Sequence, residues 1–152
     1  FRTDVAPVVT IMGGVPPLAT RVTLDGAPFV SGTTVSAEGV HRLVVRFYEL
    51  MDTLPEAAGI RAMHKGDLAP MVDKLTTYLV GWMGGPRRYS ERFGSVIIPA
   101  VHQPFPIGPN ERDAWLLCFR KALDEQPLDA KWKEAIMKPM FQMADMCRTK
   151  DD

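Results

Sequence analysis

His102 stands two residues before Pro104 and four before Pro106, in the stretch Ala100-Val-His102-Gln-Pro-Phe-Pro-Ile-Gly108-Pro-Asn-Glu-Arg-Asp-Ala-Trp115-Leu-Leu-Cys118. Each proline fixes its own φ and biases the residue before it toward extended backbone, so this histidine has little freedom to move. An imidazole held still just ahead of a helix carrying a tryptophan is well placed to be an axial metal ligand through a neutral ring nitrogen. The surroundings read like the proximal side of a haem pocket. Its second ring nitrogen then needs an acceptor that sets the tautomer. The two cysteines, Cys118 and Cys147, lie far apart and form neither a C-x-x-C pair nor a C-x-x-C-H site for covalent haem attachment.

The elements that must position these groups are helical from Ser36, a fitting N-cap, onward. Val40, Leu43, Val44, Phe47, Tyr48, Leu50 and Met51 recur at spacings of three and four. A short helical piece is expected over 56–63 after Pro55. A third runs over 68–82 with Met71, Leu75, Tyr78 and Leu79 on one face, stopped by Gly84-Gly85-Pro86. A loop carrying Tyr89 and Phe93 and a short segment over 97–102 follow. The next helix starts at Gly108-Pro109, with proline suited to the first helical position and Glu111 and Asp113 complementing the helix N-terminus. The last begins after Asp129 and places Trp132, Ile136, Met140, Phe141 and Ala144 inward, with Pro139 expected to kink it or remove one hydrogen bond.

Residues 1–35 differ in character, with Pro7, Pro16, Pro17, Pro28 and several glycines breaking any helical period. Around Asp25-Gly26, Val22, Leu24, Phe29 and Val30 suggest a turn between short extended pieces. The organisation expected is a Pro/Gly-rich extension over 1–35, a helical domain over 36–148 and a tail over 149–152. The uncharged stretch over 5–20 is too short and too broken to span a bilayer, so no membrane anchor is expected. The 152 residues are 46% hydrophobic, which suits one domain with a sizeable core. Eighteen basic and eighteen acidic residues cancel, which argues against nucleic acid or an anionic membrane as partner. The sparse cysteines suit a reduced, cytoplasmic protein.

Six motifs together carry a resemblance: Phe47-Tyr48, Ile60-Arg-Ala-Met-His64, Gly81-Trp-Met-Gly-Gly-Pro86, Tyr89-Ser-Glu, His102-Gln-Pro-Phe and Glu111-Arg-Asp-Ala-Trp115-Leu-Leu-Cys118. In this order, over about residues 36–147, the chain resembles the group II truncated haemoglobins of bacterial type. The resemblance implies an all-α fold, the truncated globin's two-over-two helical sandwich, here preceded by an irregular N-terminal extension. It also implies a non-covalent haem b (iron protoporphyrin IX).

Carried over by position, the resemblance makes His102 the proximal iron ligand and sets Tyr48, His64 and Trp115 around a bound diatomic. Each of these three rings bears a hydrogen-bond donor, which stabilises the negative charge that bound O2 acquires. Met71 and Leu75, one turn apart, form an apolar lid over the distal face. Lys74 and Tyr89 resemble positions that meet the haem propionates, and Phe105 and Ile107 pack on the porphyrin edge. The ligands implied are O2, CO or NO. Three donors favour tight retention of O2 over simple transport, and leave open an oxidation of nitric oxide or a peroxidase-like side activity served by a reductase. Two other readings stay beside this one. A haem-free helical interaction or dimerisation domain, with Met-rich faces and a homodimer as its natural state, would account for nine methionines. A zinc site would require His41, His64 and His102 to converge, although they lack the short ligand spacing of zinc helices and His41 is expected on an outer face.

Overall fold

The computed structural model describes residues 21–23, 30–31, 34–83 and 85–151, with side chains from residue 37 onward except residue 84. Three short strands come first: β1 (Arg21–Thr23), β2 (Val30–Ser31) and β3 (Thr34–Ser36). The last is central, parallel to β1 and antiparallel to β2, with Val22 and Val30 both in register with Val35. The extended pieces expected at Val22 and Val30 are therefore formed. The Asp25-Gly26 turn and residues 1–20 lie outside the described residues, as does the side chain of Ser36, whose backbone ends β3 one residue before the first helix.

Seven helices follow: α1 (Ala37–Thr53), α2 (Ala58–Met63), α3 (Ala69–Trp82), α4 (Tyr89–Phe93), α5 (Ile98–His102), α6 (Pro109–Asp124) and α7 (Ala130–Met146). The periodic residues of α1 from Val40 to Met51 are all buried, while Glu38, His41, Arg42, Glu49 and Asp52 face solvent. Pro55 cannot continue α1, so the chain turns through a 3-10 segment, Pro55–Ala57, into α2. Gly108 and Pro109 open α6 as expected, and the Gly108 N–H donates to the Glu111 carboxylate at 2.7 Å, half of a capping box.

α1 packs against both α3 and α6, and α6 packs against α7. These four longest helices are the two-over-two sandwich that the sequence led us to expect. Its centre is aromatic. Phe47 of α1 meets Trp115 and Phe119 of α6 at ring-centroid distances of 4.8 and 6.0 Å, and Trp115 stacks on Phe119 at 5.4 Å and 9°. Phe47 and Phe119 are wholly buried, and a side chain of that kind contributes about 3–5 kcal/mol relative to alanine. No helix among the described residues is long and apolar enough to cross a membrane.

Two local readings change. The segment carrying Tyr89 and Phe93 is the one-turn helix α4 and not a loop, closed by Gly94 at φ +84°, a conformation that glycine adopts without a Cβ clash. Pro139 lies inside α7 and has no N–H to give the carbonyl of Ala135, which is the missing hydrogen bond expected there. Phe141, expected inward, is 46% exposed and lies under the Arg112 guanidinium at 5.1 Å. At 100° per residue the face set by Ile136 and Met140 continues through Met143 and Cys147, which are buried in its place.

Candidate functional site

Between α1, α3, α5, α6 and α7 lies a cavity of about 510 Å³, within the range of sites that hold a small-molecule cofactor. It brings together all ten residues singled out from the sequence: Tyr48, His64, Met71, Lys74, Leu75, Tyr89, His102, Phe105, Ile107 and Trp115. His41 is exposed on the outer face of α1 and does not join His64 and His102 there.

His102 is the last residue of α5, a single turn that begins Ile98-Pro99 and buries none of its residues fully. Its ring Nδ1 lies 2.6 Å from the carbonyl oxygen of Ile98. A carbonyl oxygen only accepts, so Nδ1 carries a proton, and in the neutral ring Nε2 is the nitrogen that keeps a lone pair. That nitrogen has no partner among the described residues. The acceptor that the sequence required for a metal-binding imidazole is thus the backbone four residues earlier.

Across the cavity, Tyr48 is buried on α1 and its hydroxyl has no hydrogen-bond partner among the described residues. Burial pushes its phenol well above the ordinary tyrosine value, so it stays a neutral donor. The Trp115 indole N–H is likewise unpartnered, while its ring is held by Phe47 and Phe119. His64 differs from both. It sits at the C-terminal end of α2, where its backbone N–H closes on Arg61 O at 3.0 Å and leaves Ile60 O to the ring, whose Nδ1 is 2.8 Å away. By the same argument as for His102, Nδ1 donates and neutral Nε2 accepts. In the neutral ring this leaves Nε2 of His64 as an acceptor, whereas the Tyr48 hydroxyl and the Trp115 N–H are donors.

The loop bearing His64 is clamped by one side chain. The Arg61 guanidinium bonds Asp52 of α1 at 2.8 Å, the carbonyl oxygen of His64, and that of Gly66 at 3.3 Å. At the cavity mouth the Lys74 ammonium lies over the Phe93 ring at 5.3 Å with no carboxylate partner among the described residues. Tyr89 packs edge-on against Tyr78 at 5.7 Å. α4 is pinned to α3 by a two-pronged Arg92–Asp73 ion pair at 2.6 and 3.1 Å.

The wall after His102, residues 103–108, has no helix of its own and is tied down by the C-terminus. The Thr149 hydroxyl donates to Phe105 O at 2.6 Å and accepts from the Ile107 N–H at 2.8 Å. Ile107 O accepts from the backbone N–H groups of Thr149 and Lys150 at 2.8 and 3.2 Å. The tail expected over 149–152 is thus held at its first two residues. Beside this clasp, Asp145 pairs with Arg112 at 2.6 Å and with Arg148 at 2.9 Å, and the Arg112 hydrogen bond, the larger cause, holds its carboxyl below the usual carboxylate range. Such a group stabilises the fold above the unfolded carboxyl value of about 3.9, and that contribution is lost as pH falls through the lower folded value. Thr149→Val is expected to lower unfolding free energy by about 1–2 kcal/mol in urea titrations, with Thr149→Ser close to wild type. The Asp145 contribution should persist from pH 7 to about 5 and fade only in stronger acid.

The motif reading missed the inner face of α7 as cavity wall. Met140, Met143, Ala144 and Cys147 line it. Their spacing of three and four was a signal that they share a face, but it does not tell a cavity wall from plain core.

Compared with known proteins, residues 34–149 match the family described as bacterial-like globin. Among curated proteins, the chain is 32% identical over 100 residues to the group 2 truncated hemoglobin YjbI of Bacillus subtilis (strain 168), a match covering 66% of this chain and 74% of that protein. Among solved structures, the group II 2-on-2 hemoglobin of Agrobacterium tumefaciens superposes with a TM-score of 0.73 at 45% identity, covering 77% of this chain and 90% of that one. The cold-adapted truncated hemoglobin of the Antarctic marine bacterium Pseudoalteromonas haloplanktis gives a TM-score of 0.73 at 27% identity, covering 76% and 93%.

Proposed function

This chain belongs to the bacterial-like globin family, a haem-based gas-binding globin, and we propose that it carries a non-covalent haem b ligated by His102 and retains O2 through Tyr48 and Trp115. The observation that carries this reading is the 2.6 Å contact between His102 Nδ1 and Ile98 O in the cavity wall. That Nδ1–H is committed to Ile98 O, so in the neutral ring Nε2 offers a lone pair to the cavity.

The residues present fit the group. Apolar walls from Met71, Leu75, Phe105 and Ile107 suit a porphyrin face, and an ammonium with no carboxylate partner among the described residues (Lys74) and a phenol (Tyr89) line the same cavity as partners for its carboxylates. The sequence offers no C-x-x-C-H, so attachment rests on ligation and packing. When bound, the haem iron supplies the coordination position at which a diatomic is held. The chain's own residues then decide how long it stays. The Tyr48 hydroxyl and the Trp115 N–H are unpartnered in a largely apolar cavity, so each is free to donate to a ligand that accumulates negative charge. Met71 and Leu75 limit water on that side.

Retention of this kind favours O2 chemistry over carriage, so oxidation of nitric oxide or reaction with peroxide, sustained by a reductase, is the activity proposed. The two buried, unpaired thiols suit a reducing compartment such as the cytoplasm. The test is a haem titration of the purified protein followed by ferric, dithionite-reduced and CO-bound spectra. One equivalent of haem should saturate a Soret band with histidine-ligated ferrous and CO forms. A folded protein that takes up no haem would leave the helical interaction domain as the better reading.

A further inference from the structure

We infer that His64 is the proton acceptor of this cavity and adapts it to small protic ligands H–X, such as hydrogen peroxide or hydrogen cyanide; this rests on the haem reading above. The Nδ1 proton of His64 is held by Ile60 O at 2.8 Å, so the neutral ring turns no N–H toward a ligand and its Nε2 lone pair is the free polar atom. The ring lies 6.0 Å from that of Tyr48, centroid to centroid, and both line the cavity. Around the ring stand Arg61, which bonds the His64 carbonyl and Asp52, then Lys65 and Asp67 of the same loop; no carboxylate pairs with the ring among the described residues. The Arg61 clamp to Asp52 and Gly66 keeps the ring on the cavity wall.

The cavity therefore sets the donors Tyr48 O–H and Trp115 N–H with an acceptor at His64, in a lining that also holds Lys65, Lys74, Glu111 and Arg112. O2, CO and NO have no proton to give, and His64 does nothing for them. A ligand H–X does. Its H–X bond breaks with the electron pair left on X and an N–H bond forms at His64 Nε2; the X⁻ so released is the form that a bound ferric haem would take, with Tyr48 O–H and Trp115 N–H as donors to its charge. On dissociation the imidazolium returns the proton. No oxidant or reductant enters.

The probe is cyanide at neutral pH, where it is the protonated acid, mixed with ferric holoprotein in stopped flow. In both His64→Phe and His64→Gln, which keep ring bulk or polarity without a basic nitrogen, cyanide association should slow by about 100-fold while CO association and O2 dissociation of the ferrous proteins stay within about threefold of wild type. A proton–nitrogen correlation spectrum of the ferrous CO form should place the His64 proton on Nδ1 and none on Nε2. Unchanged cyanide rates in variants that bind haem and CO normally would overturn the proposal and leave the haem reading intact. So would a faster O2 release with unaltered cyanide binding, which marks His64 as a donor. A low-spin ferric wild type that becomes high-spin in His64→Gln would show the ring bound to the metal and overturn it too. Failure of the wild type to take up haem would remove both readings.

Discussion

His102→Ala is expected to abolish stoichiometric haem uptake while leaving the helices in place. The argument is local. α5 buries none of its residues fully, so removing the imidazole opens no large hole in the core, and helical circular dichroism should change little. What disappears is the imidazole held by Ile98 O at Nδ1, whose Nε2 is the proposed metal ligand. Partners of a ligating histidine, one step removed from the metal, are commonly worth about 10–100-fold in affinity, and the ligand itself exceeds that. At equimolar haem the variant should show a weak, broadened Soret band without the histidine-ligated ferrous signature. Added imidazole should restore that signature in His102→Gly, because the smaller side chain leaves room for it. A variant with wild-type haem affinity and spectra would move the proximal ligand elsewhere and undo the assignment of this wall.

Trp115→Phe should release O2 faster by roughly 10–100-fold, with CO dissociation changed far less. Phenylalanine keeps an aromatic face for Phe47 and Phe119, so the packing at 4.8 and 5.4 Å is largely retained and only the N–H donor is removed. A hydrogen bond to a charged acceptor contributes about 1.5–3 kcal/mol, and each 1.36 kcal/mol expressed in the barrier is tenfold in rate. The contrast with CO is the diagnostic part, since CO gathers little charge and gains little from the donor. Flash photolysis and stopped-flow displacement of O2 by CO read both rates on one sample. Equal acceleration for both gases would mean that the substitution loosened the cavity; no acceleration would reduce Trp115 to core packing.

Much of this was legible along the chain because helices report themselves within a turn. The spacing from Val40 to Met51, the Gly108-Pro109 start of α6 and the stop at Pro55 are all local signals, and each matches the boundaries found. The ten site residues were reached by motif and resemblance, and one cavity gathers them. Phe141 shows where local pattern fails. Position 141 adjoins Met140 in sequence, yet a rotation of 100° turns it toward solvent and Arg112.

The sequence by itself determined an all-α domain from residue 36 onward, the histidine held before its prolines, and an aromatic set at positions that helical periodicity turns inward. Only the folded backbone decided which nitrogen of each cavity histidine is engaged, through a carbonyl four residues earlier in the same turn. Residue type says that an imidazole has two nitrogens; the atom facing each Nδ1 says which nitrogen keeps the lone pair, and that atom is a carbonyl in both cases. Only the tertiary structure decided what holds the wall beyond His102. The bonds from Thr149 to Phe105 and Ile107 join residues 44 and 42 positions apart. A threonine hydroxyl pairs with whatever backbone the fold brings to it, so no local pattern encodes that choice, and it exists only once α6 and α7 have packed.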